Sequence, residues 1–329
     1  MTRAKTALVL GATGGVGGVI AQGLIRHGWH VRGLARDVAA AARKDASITW
    51  LEGDAMTRQQ VVEAARGVDA IVHAVNPPQY QNWETLVLPM IDNTIAAARE
   101  ADARILLPGT IYNFDPRKTP LVSADTPQRP TSRKGRIRVE LERRLAHAAP
   151  DVRSVVLRAG DFFGPSARSS WFSQAMVKPG EPLTTVKRMT SGPGHSWAYL
   201  PDLAEAAVRV LEADDRMAAF ESLQFEGLYD HSGTVMLDLL SKAAGQKLRT
   251  LSFPWWLMHL AAPFGGFPRE AAEIAQFWRH PLKFDNRRLV EIIGPEPRTD
   301  SSVAIQNTLI ALGCLPQREP TTLLQPAST

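Results

Sequence analysis

The chain has 329 residues, 44% apolar and 22% charged, with Lys and Arg exceeding Asp and Glu by 38 to 33. This is the composition of an ordinary globular protein, long enough for one large or two ordinary domains. The dispersed surplus of +5 suits a small anionic ligand at least as well as nucleic acid, and the single cysteine, Cys314, excludes an internal disulfide and a cysteine-based metal cluster. Met1 to Lys5 is too short for a signal peptide. The most apolar run, Phe253 to Phe267, is broken by Pro254, His259, Pro263 and two glycines. A cytoplasmic chain with no membrane span is expected.

The first element is a buried strand, Leu8-Val9-Leu10, running into Gly11-Ala12-Thr13-Gly14-Gly15-Val16-Gly17. A helical pattern follows through Val16, Ile20, Leu24 and Ile25, stopped at Gly28. Strand, glycine turn and helix in succession make a pyrophosphate site, because the free N–H groups and positive dipole end of the helix face the turn. The G-x-x-G-x-x-G spacing lets the backbone turn at Gly11, meet a ligand at Gly14 and pack helix on strand at Gly17. Thr13, Gly15 and Val16 belong to the same loop. A second strand, Trp29 to Leu34, ends at Ala35-Arg36-Asp37. Arg36 stands where such a fold meets the adenosine ribose, and its guanidinium fits a 2′-phosphate where a carboxylate would fit a 2′-hydroxyl. NADP is therefore preferred over NAD, although Asp37 pulls the other way.

The third strand, Ile48 to Leu51, delivers Gly53-Asp54-Ala55; Asp54 either accepts from the adenine amino group or caps the helix starting near Thr57. A fourth strand, Asp69 to Ala74, exits through Val75-Asn76-Pro77-Pro78, where the nicotinamide half would pass. A helix over Trp83 to Arg99 leads to a fifth strand, Arg104 to Leu107. Strands alternating with helices require crossovers, hence an α/β fold with a doubly wound parallel Rossmann sheet. A sixth strand, Arg153 to Leu157, brings Ala159-Gly160-Asp161 to the same edge.

The later segments include a short helix near Trp171 to Val177, a flexible turn from Ser191 to Ser196 carrying an exposed His195, a strand over Trp197 to Leu200 and a helix opened by Pro201-Asp202. Phe225 is placed in a strand, and a helix over Thr234 to Ala244 ends at Gly245. Phe253-Pro254-Trp255-Trp256-Leu257-Met258, extended by Phe264, Phe267, Phe277 and Trp278, either lines an apolar substrate pocket or packs between the two parts or against a partner subunit in a homodimer.

Gly11-x-x-Gly14-x-x-Gly17, Gly53-Asp54, Arg158 to Pro165 and Trp197 to Ala204 together resemble the ordered landmarks of the extended short-chain dehydrogenase/reductase superfamily, and more narrowly its NAD-dependent epimerase/dehydratase branch. The resemblance implies a Rossmann domain over residues 1–160, rejoined by 197–226, with a smaller, mostly helical substrate-binding part over 161–196 and 227–329. It also implies a Tyr and a Lys four residues apart on a helix. Here Lys134 stands at the Tyr position and Arg138 at the Lys position, with Thr110 at the Ser/Thr position of the fifth strand's loop. The tyrosines do not restore the pattern, since Tyr80, Tyr112, Tyr199 and Tyr229 are followed at i+4 by Glu, Pro, Leu and Gly.

Lys134 and Arg138 share one helix face. Arginine stays protonated and can hold ribose hydroxyls. Lys134, repelled by Arg138, can donate a proton to a substrate carbonyl or touch the cofactor, with Thr110 supplying a second hydrogen bond. The basic run from Arg129 to Arg144 also reads as a solvated helix face laced with pairs such as Glu140 and Arg144. Ala74, Val75, Asn76 and Gly160 complete the expected cofactor contacts, with no metal. The leading reading is an NADP-dependent oxidoreductase acting on a small, partly apolar carbonyl substrate. A non-catalytic NADP-binding or redox-sensing protein is the rival, and a nucleotide-sugar epimerase or dehydratase the third.

Overall fold

The computed structural model describes residues 3–77, 83–190, 192 and 194–316. Met1, Pro78, Tyr80 and Ser191, named above, lie outside the described residues. The first half alternates strand and helix: β1 (Thr6–Leu10), α1 (Gly15–Arg26), β2 (His30–Ala35), α2 (Val38–Lys44), β3 (Thr49–Glu52), α3 (Arg58–Ala64), β4 (Ala70–His73), α4 (Trp83–Ala101) and β5 (Arg104–Gly109). After β6 (Leu121–Val122) come α5 (Arg133–Ala148), β7 (Ser154–Arg158), β8 (Asp161–Phe163), β9 (Thr185–Arg188), β10 (His195–Tyr199), α6 (Leu200–Glu212) and β11 (Phe220–Gln224). The remainder is β12 (Leu228–Asp230), α7 (Val235–Ala244), β13 (Arg249–Ser252), α8 (Trp255–Ala261), α9 (Gly266–Ile274), β14 (Lys283–Phe284), α10 (Arg287–Ile293) and α11 (Ser301–Ala311).

Seven strands form one sheet in the order β11-β7-β5-β4-β1-β2-β3, and every neighbouring pair is parallel. The doubly wound Rossmann architecture is thus the one the alternation of elements dictates. The period of two along each strand feeds two cores. Leu8, Leu10, Ile71, Ile105 and Leu107 meet α3, α4 and α5 on one face through Val61, Ile91 and Leu141. Ala7, Val9, Val72 and Leu106 meet α1, α6 and α10 on the other through Ile20, Leu203 and Leu289. The strand order reverses between β1 and β4, so the crevice at their carboxyl ends is where such a sheet takes a ligand.

Two placements differ from the sequence reading. The seventh strand is β11, ending at Gln224 just before Phe225, while β10 joins a separate small sheet between β8 and β12. His195, expected exposed in a turn, is the first residue of β10, 3% exposed, and its ring stacks on Trp278 at 4.1 Å. The two glycines flanking the turn disguised a strand whose start is covered by the C-terminal part. The short helix after Trp171 is a single π-type turn, Phe172–Met176. Among the described residues no helix is long and apolar enough to cross a membrane.

Candidate functional site

The glycine turn is built by close backbone contact. Gly11 has φ +87°, and a Cβ there would stand 2.6 Å from the Ala74 carbonyl oxygen, while one on Gly17 would stand 2.3 Å from the Gly11 carbonyl oxygen. Both positions therefore require glycine, and both draw α1 tight against the ends of β1 and β4. Gly14 caps α1 with no side-chain bond, and the helix has no carboxylate in its first turn. Its leading N–H groups and positive dipole end are suited to a pyrophosphate, and Gly11, Thr13 and Val16 of this turn line the two cavities described below. The Ser166 carbonyl oxygen lies over Gly15, where a Cβ would come within 2.7 Å of it.

From this turn a crevice of about 620 Å³ runs past the ends of β2 and β3, lined by Gly11, Thr13, Arg36, Lys44, Asp54, Ala55, Val75 and Asn76. Asp37 is engaged as the N-cap of α2, its Oδ1 accepting from the Ala40 N–H at 2.8 Å. Arg36 is the exposed cation at the end of β2. Lys44 was not foreseen. It closes α2 and donates to the Thr13 carbonyl, bringing a second cation to the loop. A basic residue in the last turn of the helix after Arg36 was the available signal. Asp54 lines the crevice and organises its own turn, its Oδ1 accepting from Met56 N–H at 2.9 Å, whereas the N-cap of α3 is Thr57.

A second cavity, of about 190 Å³, opens at the ends of β4, β5 and β7, lined by Val16, Ala74, Thr110, Tyr112, Arg138, Gly160, Asp161 and Trp171 among others. Val75 and Asn76 line both cavities. Arg138 enters from α5, 7% exposed; its Nη2 donates to Asn76 Oδ1 at 2.9 Å and its guanidinium lies 4.7 Å from the centre of the Trp83 ring. The Thr110 hydroxyl accepts from the Tyr112 N–H at 3.2 Å. Gly160 is fixed by crowding, since a Cβ there would stand 2.1 Å from the Ser196 carbonyl oxygen. His73 is buried with Nδ1 2.8 Å from Thr94 Oγ1; burial first, and the charge of Arg138 second, push its imidazole down to about 3, so it is neutral near pH 7. The indole N–H of Trp171 is buried and has no acceptor among the described residues. Asp161 Oδ2 lies 3.0 Å from His195 Nε2, off the line a ring hydrogen bond requires.

Beneath the cavity is a network that the sequence did not announce. Arg158, fully buried, donates from Nη1 to the Thr110 carbonyl at 2.7 Å and to Glu142 Oε1 at 2.9 Å, and from Nη2 to Glu142 Oε2 at 2.7 Å. Asn113 Nδ2 donates to the same Glu142 Oε1 at 2.9 Å. This bidentate pair holds the loop that presents Thr110. A signal was available, since Lys134, Arg138 and Glu142 recur at i, i+4 and i+8 on the face of α5 that also carries Ile137, Leu141 and Leu145. The other charges of the run do form a solvated face, with Glu140 bonded to Arg143 at 2.7 Å and to Arg144 at 2.9 Å.

The structure brings Thr110 and Arg138 to the cavity but not Lys134. The Lys134 ammonium is 1% exposed and donates to Glu273 Oε2 at 2.8 Å and to Glu270, while its backbone N–H donates to Glu273 Oε1 at 2.8 Å. Both carboxylates come from α9. Burial pushes the Glu273 carboxyl up, but the hydrogen bonds and charge of Lys134 outweigh it and leave the group below its ordinary value. Two carboxylates, and not only the neighbouring Arg138, thus surround the Lys134 ammonium.

A family model described as the NAD dependent epimerase/dehydratase family matches residues 7–224. Among curated proteins none matches the chain significantly. Solved structures share the fold at low identity. The ADP-L-glycero-D-manno-heptose-6-epimerase of Helicobacter pylori is 14% identical with a TM-score of 0.70, covering 95% of this chain and 97% of its own. A nucleoside-diphosphate-sugar epimerase from Pseudomonas aeruginosa is 16% identical with a TM-score of 0.69, covering 94% and 97%. The Bordetella bronchiseptica enzyme WbmH, solved in complex with NAD+, is 17% identical with a TM-score of 0.67, covering 94% and 98%. Spanning the glycine turn through the last strand of the large sheet, the match means that this chain belongs to the NAD-dependent epimerase/dehydratase family.

Proposed function

We propose that the chain is an NADP-dependent oxidoreductase of the cytoplasm that reduces a carbonyl on a small, partly apolar substrate. Residues 1–160 and 197–226 form its dinucleotide side, and 161–196 and 227–329 its substrate side. The observation that carries this reading is the shared wall of Val75 and Asn76, which joins the glycine-turn crevice to an aromatic-lined cavity. When bound, the reduced dinucleotide supplies the hydride. The chain's own residues do the rest. The first turn of α1 holds the pyrophosphate, and Arg36 with Lys44 answers a 2′-phosphate. Arg138, oriented by Asn76, keeps its charge and holds ribose hydroxyls beside the reacting carbonyl. The orphaned Trp171 N–H is satisfied by a substrate oxygen. Lys134 is occupied by Glu270 and Glu273, so in this reading Tyr112, which lines the cavity beside Thr110, is the proton donor.

A panel of carbonyl compounds and nucleotide sugars, followed by NADPH oxidation and by product epimerisation, tests this. Tyr112→Phe is expected to lower kcat by about a hundredfold or more, while Lys134→Met leaves turnover per folded molecule unchanged. The reverse pattern returns the donor role to Lys134. The sequestered lysine also favours a second reading, a dinucleotide-sensing protein without catalysis; tight NADPH binding with no turnover on the panel supports it. Epimerisation of a nucleotide sugar without net NADPH consumption assigns the third.

A further inference from the structure

One exposed apolar surface plays no part in either cavity. In α8 and the corner that follows it, Trp256 is 70% exposed, Leu260 67%, Phe264 91% and Phe267 53%. Trp256 and Leu260 are one helical turn apart and so project together. Phe264 sits at the corner, between the end of α8 and two glycines with φ of +83° and +63°. A cluster of large apolar side chains this exposed marks a contact site.

We propose that the α8–α9 hairpin is a peripheral docking surface for an anionic lipid bilayer. Charge selects this occupant. From Arg249 to Lys283 the only carboxylates are Glu270 and Glu273, and both are turned inward onto Lys134. The outward charges that this segment itself carries are cations. The Arg269 guanidinium lies against Gly265 at the corner, and Arg279 reaches His259 of α8 at 3.5 Å. Trp, Leu and Phe projecting beside two arginines, on a segment that adds no outward carboxylate of its own, is the chemistry of an interfacial anchor. A second copy of the chain would bring its own Arg269 and Arg279 to the same contact and no further carboxylate from this segment. The surface also adjoins the substrate side, since Phe267 lies 5.7 Å from Trp171, a wall of the cavity. Docking itself is independent of the reaction assigned to that cavity.

The test is flotation of the full chain with phosphatidylcholine vesicles, with and without phosphatidylglycerol, at low and high salt, alongside light scattering on a sizing column. Binding is expected on the anionic vesicles, weakened by salt. Phe264→Glu should lower it about tenfold or more, and Arg269→Glu with Arg279→Glu should abolish the preference for phosphatidylglycerol. Leu121→Glu, on a half-exposed side chain elsewhere, should leave binding unchanged. Failure to float on any vesicle overturns the proposal. So does a dimer that Phe264→Glu dissolves while vesicle binding is absent, which gives the surface to a second copy. Phe264→Glu is solvent-exposed, and an unchanged melting curve separates lost docking from lost folding.

Discussion

The two ends of the long crevice are built on different principles. At the phosphate end, one turn between β1 and α1 does nearly all the work, and its residues are neighbours in the chain. At the far end, β4, β5, α5, β7 and the segment at Trp171 each contribute a wall, and a helix more than a hundred residues away decides which cation of α5 reaches the cavity. A site made by one turn tolerates distant change and fails on a single methyl group. A site made by convergence fails when its footing is removed, wherever that footing lies.

The sharpest way to break the contrast is at that footing. Arg158→Met leaves Glu142 as a buried, uncompensated charge and should cost about 3–5 kcal/mol in urea unfolding, with Thr110 losing its support. Removing both charges together, with Glu142→Leu added, should recover much of that loss. The next effect is acid lability from His73. Its folded-state value of about 3 lies below that of the unfolded chain, so the unfolded state takes up the proton first. The stability it confers is complete above about pH 6.5 and is lost as pH falls toward 3, at roughly 1.4 kcal/mol per pH unit. His73→Asn should flatten that slope in thermal melts between pH 6.5 and pH 4.

At the phosphate end, Gly17→Ala drives a methyl group against the Gly11 carbonyl, a strain of about 1–3 kcal/mol. Dinucleotide binding by calorimetry should weaken accordingly, while the far cavity keeps its shape. Arg36→Ala removes one charge-assisted contact of about 1.5–3 kcal/mol and should erode the preference for NADPH over NADH by roughly ten- to a hundredfold, with Lys44→Ala adding to it. Equal affinities in the wild type would remove the 2′-phosphate assignment. The smallest effect belongs to the solvated face of α5. Glu140→Ala breaks two exposed arginine contacts and should change stability by less than about 0.5 kcal/mol.

The same contrast explains what could be read from the chain alone. The glycine turn, the crossovers and the place of Arg36 directly after β2 were legible because strand, turn and helix chemistry acts between near neighbours. The seventh strand was legible only at its end, at Phe225, because β11 is recognised by pairing with β7, from Phe220 against Ser154 to Gln224 against Arg158, and not by a strong pattern of its own. His195 was misread because its covering ring, Trp278, arrives from the C-terminal part. The position of Lys134 in the motif was legible, but its surroundings were not. Glu273 lies 139 residues further on, and no local signal joins the two.

Those separations also set an order of synthesis. Arg158 and Glu142 are sixteen residues apart, so their pair can close as soon as α5 and β7 have emerged from the ribosome. Lys134 has no such early partner in α9, whose carboxylates are translated more than a hundred residues later. The N-terminal portion of the helix therefore waits in a nascent chain for the α9 carboxylates, while its later turns can already be tied to the sheet. Completion of the C-terminal part is what finishes a helix begun long before it.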